Sequence, residues 1–116
     1  AKQVQATLND IRQKFSVLPT VPYNRFQNSF SHIFAGGYAA GYYSYNWAEV
    51  LASDAFDRFE SEGIFNIETG KEFRQAILAV GGKDTALDAF VRFRGREPKI
   101  DALLRHQGWT NPTKSA

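Results

Sequence analysis

A double glycine, Gly36-Gly37, runs directly into a segment that carries four of the chain's five tyrosines. Because glycine has no Cβ, the backbone there adopts left-handed or extended dihedrals and approaches a neighbouring group closely. From Tyr38 onward the spacing is helical, so Tyr38, Tyr42 and Tyr45 share one face at about 100° per residue. Apolar side chains also cover the opposite face. A helix that is apolar on both sides is buried or lines a cleft, and we expect it to be the centre of the fold.

The tyrosine face has two interpretations. Phenol hydroxyls are neutral at pH 7 and donate hydrogen bonds to a carbonyl oxygen that gains charge during acyl transfer. The glycine loop beside them would then close over an extended peptide. In the other interpretation, a core helix gives each phenol a structural hydrogen-bond partner. Both interpretations are compatible with the spacing.

Three runs of the sequence carry a family resemblance: HIFAGGYAAGYYSYNWAEVLASDAF, FESEGIFNIETGKEFRQAIL and FRGREPKIDALLRHQGW. They resemble the C-terminal part of the M3 (thimet-type) zinc oligopeptidases, in the branch of oligopeptidase A and dipeptidyl carboxypeptidase. The resemblance covers roughly Val21 to Trp109, and its motif H-x-x-A-G-G-Y-x-A-x-Y-Y-x-Y is long and specific. It implies an all-α fold, with several helices packed around one long central helix. It also implies that this chain is the C-terminal portion of a larger metallopeptidase catalytic domain.

The resemblance also implies roles for individual residues. Tyr45 matches the family tyrosine that donates a hydrogen bond to the developing oxyanion. Tyr38 matches a tyrosine on the glycine loop that contacts the peptide, and Tyr42 matches one with a positioning role. His32 is expected to donate a hydrogen bond to substrate and to act neither as a general base nor as a metal ligand. Gly36-Gly37 would be the hinge of the substrate-binding loop.

The His-Glu-x-x-His zinc helix of that family is absent from this sequence. The two histidines, His32 and His106, are far apart, whereas a catalytic zinc needs three protein ligands, often two on one helix face. We therefore expect zinc to belong to a longer parent enzyme and none to bind this chain. The isolated chain is expected to be inactive. Its expected partners are short peptide substrates and the N-terminal remainder of the parent; endopeptidase and dipeptidyl carboxypeptidase activities both stay open.

The alternative function is a non-enzymatic helical module that binds a peptide or a partner helix. Composition argues against several other classes of function. A net charge of +2 with no polybasic tract gives no support to nucleic-acid or membrane binding, and the absence of cysteine excludes a thiolate site. Without an apolar run long enough to cross a membrane, we expect a cytoplasmic protein. An aromatic content of 15% indicates exposed aromatic surface and possible self-association of the fragment.

Hydrophobic spacing and breaker residues divide the chain into elements. The first helix is expected to bury Val4, Leu8, Ile11 and Phe15. The predicted elements are a helix at 1–15, a loop with the glycine-rich segment at 16–37, the central helix at 38–61, and helices at 67–80, 84–94 and 98–107.

Capping residues predict where several of these helices begin or end. Gly63 is predicted to end the central helix, Asn66 and Asp84 to begin the next two, and Pro98 to occupy the first position of the last. Asp54 is expected on a solvated face, where it would support Arg58 at i, i+4. The basic residues between Arg92 and Lys99 are expected to form a solvated turn with local ion pairs.

Overall fold

The structure is a computed structural model that describes residues 2–110. The chain divides into two compact units, Ala1–Ala40 and Gly41–Ala116. Within residues 2–110 the regular elements are helices, with no strand, so the predicted all-α fold class is confirmed.

The first unit contains a helix α1 at Lys2–Phe15, a single 3₁₀ turn at Phe26–Asn28 and a short helix α2 at Ser31–Phe34. The segment 16–37, predicted as loop, therefore holds two short helical elements. The 3₁₀ turn begins where the Phe26 N–H donates to Asn24 Oδ1 at 3.0 Å, a local bond that asparagine makes readily in turns.

The predicted apolar stripe of α1, formed by Val4, Leu8, Ile11 and Phe15, is not buried. No residue of α1 is buried, and Phe15 is 78% exposed. Two hydrogen bonds connect α1 to the rest of its unit. Gln27 Nε2 donates to Gln5 Oε1 at 2.7 Å, and Arg12 Nη2 donates to Asn24 Oδ1 at 3.0 Å. The face that points toward the following loop is therefore the amide-bearing face of the helix.

The second unit is built on α3, the long helix at Ser44–Glu62. It is followed by α4 at Ile67–Phe73, which continues into a π-helical segment at Arg74–Leu78, then by α5 at Ala86–Arg94 and α6 at Asp101–His106. No helix in the described part of the chain is long and apolar enough to cross a membrane.

Two predicted helix ends are confirmed. The Gly63 N–H donates to Phe59 O, and its φ of 109° lies in the region that favours glycine. The Asn66 side chain accepts hydrogen bonds from the N–H groups of Glu68 and Thr69, so it satisfies two donors at the start of α4.

Two other predicted helix starts are wrong. Thr85, not Asp84, caps α5: Thr85 Oγ1 accepts from the Asp88 N–H at 3.1 Å, while Asp84 forms an ion pair with Arg92 at 2.6 Å. The last helix begins at Asp101 and not at Pro98.

The core of the second unit is aromatic and small. Phe93 is nearly fully buried, and its ring lies 5.3 Å from that of Phe73 and 6.0 Å from that of Phe59. The Phe59 and Phe73 rings meet edge to face at 5.7 Å. Each such ring pair stabilises the fold by about 0.5–1.5 kcal/mol, in addition to the stabilisation from burying its apolar surface. The remaining members are Leu51, Ala55, Ala76, Ile77 and Phe90. This cluster holds α3, α4, the π-helical segment and α5 together.

Candidate functional site

The double glycine forms the end of α2. The Gly36 N–H donates to Ser31 O at 2.8 Å, and the Tyr38 N–H donates to His32 O at 3.0 Å, so the chain turns back over the helix it has just left. A Cβ on Gly36 would lie 2.8 Å from the His32 Cα, closer than real Cβ atoms come. Gly37 has a φ of +79°, which side-chain-bearing residues rarely adopt. Both positions therefore require glycine in this conformation.

This turn brings His32 and Tyr38 together. Their ring centroids are 5.9 Å apart, and the row of rings continues from His32 to Phe30 at 5.3 Å and from Phe30 to Phe26 at 4.7 Å. His32 and Tyr38 remain partly open to solvent at the end of this row. The first unit thus presents an imidazole and a phenol side by side, both able to hydrogen-bond to a peptide backbone.

Tyr42 and Tyr45 form a second pair, in the second unit. Tyr45 lies in the first turn of α3, and its N–H donates to Tyr42 O at 3.3 Å. Their ring centroids are 5.1 Å apart, and the two residues are 41% and 43% exposed. The two phenols are therefore packed against each other while both reach the surface.

The prediction of one helix carrying Tyr38 together with Tyr42 and Tyr45 is wrong. Helix α3 begins at Ser44, not at residue 38, and the residues before it form turns in which the Ser44 N–H donates to Gly41 O at 3.0 Å. The helical spacing extends through a segment in which Gly37 has positive φ and Gly41 supplies no Cβ, and both features weaken a helix. Tyr38 consequently belongs to the first unit.

A buried carboxylate, Asp54, lies two turns beyond the tyrosine pair on α3. It is 1% exposed, contrary to the predicted solvated face. Arg96 donates to both of its oxygens, at 2.7 and 2.6 Å, and the Lys99 N–H donates to Oδ2 at 2.7 Å. Arg94 Nη2 lies 3.2 Å from Oδ1. These contacts turn the backbone around Pro98 toward α3 and explain why α6 begins later than predicted.

The surroundings of Asp54 act on its pKa in opposite directions. Burial alone would raise the pKa, but hydrogen bonds from Arg96 and Lys99 and the charges of Arg96 and Arg94 outweigh burial and lower it. Asp54 is therefore an anion at neutral pH. The predicted i, i+4 pair of Asp54 with Arg58 does not form; Arg58 instead pairs with Glu62 and Glu72, at 2.8 and 2.6 Å.

A second ionic group joins α3 to α6. Arg105 Nη2 lies 2.8 Å from Asp57 and 2.6 Å from Glu60, and His106 Nε2 lies 2.9 Å from the same Glu60 oxygen. The hydrogen bond from His106 lowers the pKa of Glu60; desolvation opposes it, and the hydrogen bond and charge of Arg105 add to the lowering. Both ionic groups fix α3, the helix that carries Tyr45, against the elements that follow it.

An apolar groove of about 470 Å³ lies on another side of α3. Tyr43 and Trp47, one turn apart, form one wall, and Pro98 and Ile100 form the other. Within residues 2–110, no three His, Cys, Asp or Glu side chains converge where they could hold a metal ion. The described residues therefore do not fit a catalytic zinc site by themselves.

The chain is similar in sequence to known peptidases. The profile of peptidase family M3 matches residues 1–109. Oligopeptidase A of Escherichia coli is 58% identical over 106 residues, which are 91% of this chain and 16% of that protein. Oligopeptidase A of Haemophilus influenzae is 57% identical over 109 residues, 94% of this chain and 16% of that protein. Dipeptidyl carboxypeptidase of Salmonella typhimurium is 44% identical over 91 residues, 78% of this chain and 13% of that protein.

The chain therefore belongs to peptidase family M3, and the resemblance inferred from its motifs is confirmed. It spans only about 16% of the length of the oligopeptidases A that it matches.

Proposed function

We propose that this chain is the substrate-binding and oxyanion-stabilising part of a zinc-dependent oligopeptidase that hydrolyses short peptides. The observation that carries the proposal is the Tyr42–Tyr45 pair, two partly exposed phenols packed at the start of a firmly held helix in a member of peptidase family M3. The long polypeptides to which this chain is similar support its assignment to one part of a larger enzyme.

Tyr45 acts in this proposal as the donor to the substrate carbonyl oxygen. As the carbonyl carbon becomes tetrahedral, its oxygen gains negative charge, and a phenol O–H already oriented toward it stabilises that charge without reorganisation. Tyr42 acts as a positioning residue, because its ring packs against that of Tyr45 and restricts its rotamers. The loss of one such donor typically lowers turnover by about 10²–10³-fold.

In this proposal His32 and Tyr38 contact the bound peptide. Their adjacent rings offer hydrogen-bonding groups at the end of the α2 turn, where a peptide backbone presents carbonyl and N–H groups at regular intervals. Gly36 and Gly37 allow the turn that holds these two side chains, and movement there would admit and release substrate.

We assign zinc to the longer polypeptide, because the described residues do not bring a set of ligands together. Zinc in such enzymes acts as a Lewis acid and lowers the pKa of bound water. The roles proposed for this chain are confined to binding the peptide and stabilising its carbonyl oxygen. The isolated chain is accordingly expected to hydrolyse no peptide.

A segment exchange tests this proposal. The 106-residue segment of E. coli oligopeptidase A that matches this chain is replaced by the corresponding residues of this chain, and hydrolysis of a fluorogenic peptide is measured. Activity within about tenfold of the parent supports the proposal. A folded, zinc-loaded chimera without activity would overturn it, provided that the parent prepared in the same way is active.

The second candidate function is a binding module without catalysis, and the apolar groove beside Tyr43 and Trp47 favours it. In that case the isolated chain binds an apolar helical peptide, Trp47→Ala abolishes binding, and the chimera is inactive. The two readouts together distinguish an enzyme segment from a binding module.

A further inference from the structure

The first unit contains a polar pocket that the proposed catalytic roles do not use. It has a volume of about 660 Å³ and lies between α1 and the loop at 16–25. Two arginines, Arg12 and Arg25, line it together with the amide side chains of Gln5, Asn9 and Gln13. Cationic and amide N–H groups on one concave surface form an environment that suits an anion.

Arg12 is the central residue of this pocket. Its Nη2 donates to Asn24 Oδ1, a neutral acceptor, and its Nη1 is buried with no hydrogen-bond partner within residues 2–110. Asn24 Oδ1 also accepts from the Phe26 N–H, so its orientation is fixed from the other side. Arg12 as a whole is only half-buried, but a buried guanidinium N–H without an acceptor is costly, and an anion in the pocket would offset the charge of this side chain.

The rest of the first unit does not supply that anion. Residues 1–40 contain four basic residues and one acidic residue, Asp10. Asp10 is engaged by Lys14 at 2.9 Å. Among residues 2–110, the acceptors of Arg25 are the backbone carbonyls of Pro22 and Asn24, both at 2.8 Å. Both pocket arginines thus lack a carboxylate partner among the residues that the structure describes.

Part of the pocket lining is aliphatic. Val17, Leu18 and Val21 line it, and all three are exposed. A bare inorganic anion makes no use of such a surface, whereas a peptide that carries a carboxylate covers the aliphatic part with its own side chains. This combination favours a peptide carboxylate over phosphate.

We propose that the pocket between α1 and the loop at 16–25 binds a peptide carboxylate through Arg12 and Arg25. The carboxylate comes either from an acidic side chain or from a peptide C-terminus. The site is independent of peptide hydrolysis, so its test stands apart from the segment exchange described above.

Titration of the complete 116-residue chain, followed by the backbone amide NMR shifts of residues 16–25, tests the proposal. Four probes are compared: acetyl-Ala-Glu-Ala-amide, acetyl-Ala-Ala-Ala with a free C-terminus, acetyl-Ala-Ala-Ala-amide and inorganic phosphate. We expect saturable shifts with one or both carboxylate peptides and none with the neutral peptide. The peptide that binds more tightly identifies the source of the carboxylate.

Matched variants distinguish binding in this pocket from non-specific attraction to positive charge on α1. Arg12→Gln and Lys14→Gln each remove one positive charge from α1, but only Arg12 lines the pocket. We expect Arg12→Gln or Arg25→Gln to weaken binding about tenfold, as the loss of a charged hydrogen bond does, and Lys14→Gln to leave it within about twofold. Because α1 buries no residue, Arg12→Gln and Lys14→Gln are expected to fold. Arg25→Gln is expected to fold because Arg25 is exposed.

Three results would overturn the proposal. They are no saturable shift with either carboxylate peptide, equal weakening by Arg12→Gln and Lys14→Gln, and phosphate binding as tight as that of the carboxylate peptides.

Discussion

Replacement of Asp54 by alanine removes the acceptor around which the second unit's most buried ion pair is built. Arg96 loses two hydrogen bonds, at 2.7 and 2.6 Å, the Lys99 N–H loses one at 2.7 Å, and Arg94 loses a counter-charge. The loss of one partner of a buried pair costs about 3–5 kcal/mol. Since Arg96 is 32% exposed and recovers some hydration, we expect the lower end, about 3 kcal/mol of unfolding free energy.

Urea denaturation followed by tryptophan fluorescence measures this cost. Trp47 and Trp109, the only tryptophans, both belong to the second unit, so the signal reports on that unit. Lys71→Ala is the matched control, because it breaks an exposed ion pair with Glu68 and should cost less than about 1 kcal/mol. If Asp54→Ala costs no more than the control, the interpretation of Asp54 as a buried structural anion is wrong. If Asp54→Ala does not fold, Arg96→Gln gives the same comparison with a smaller loss.

Three further predictions follow from the same contacts. The pKa values of Asp54 and Glu60 are lowered in the folded state, so their stabilisation is present at neutral pH and is lost as pH falls through those values. The second unit should therefore lose stability below about pH 4, and Asp54→Asn should make this loss shallower in urea titrations at graded pH. Gly36→Ala should cost about 1–3 kcal/mol, because the new Cβ meets the His32 backbone, and should shift the amide resonances of α2 in NMR spectra. Asn66→Ala should cost about 1 kcal/mol in urea denaturation, through loss of the α4 cap.

Local chemistry in the sequence predicts several of these features. The spacing of apolar residues every three or four positions predicts helices. The caps at Gly63 and Asn66 can be predicted because capping depends on residues within one turn. The motif around the double glycine identifies the family.

The features that sequence periodicity misses depend on contacts between distant residues. Asp54 lies on α3 at a position where helical spacing assigns a charged residue to solvent, but its partner Arg96 is 42 positions further along the chain. No local signal indicates that these two residues meet. The start of α3 at Ser44 is missed for a different reason, since the tyrosine spacing continues through a turn that Gly37 and Gly41 permit.

The turnover of Tyr45→Phe tests the proposed role of Tyr45 as the donor to the oxyanion. In the chimera with E. coli oligopeptidase A, kcat and KM for a fluorogenic peptide are compared between wild type, Tyr45→Phe and Tyr43→Phe. Tyr43 precedes the same helix but lines the apolar groove, so it controls for loss of a phenol at this end of α3. We predict that Tyr45→Phe lowers kcat by about 10²–10³-fold with little change in KM, and that Tyr43→Phe stays within about threefold. Equal turnover in the folded Tyr45→Phe and wild-type chimeras would contradict the assignment.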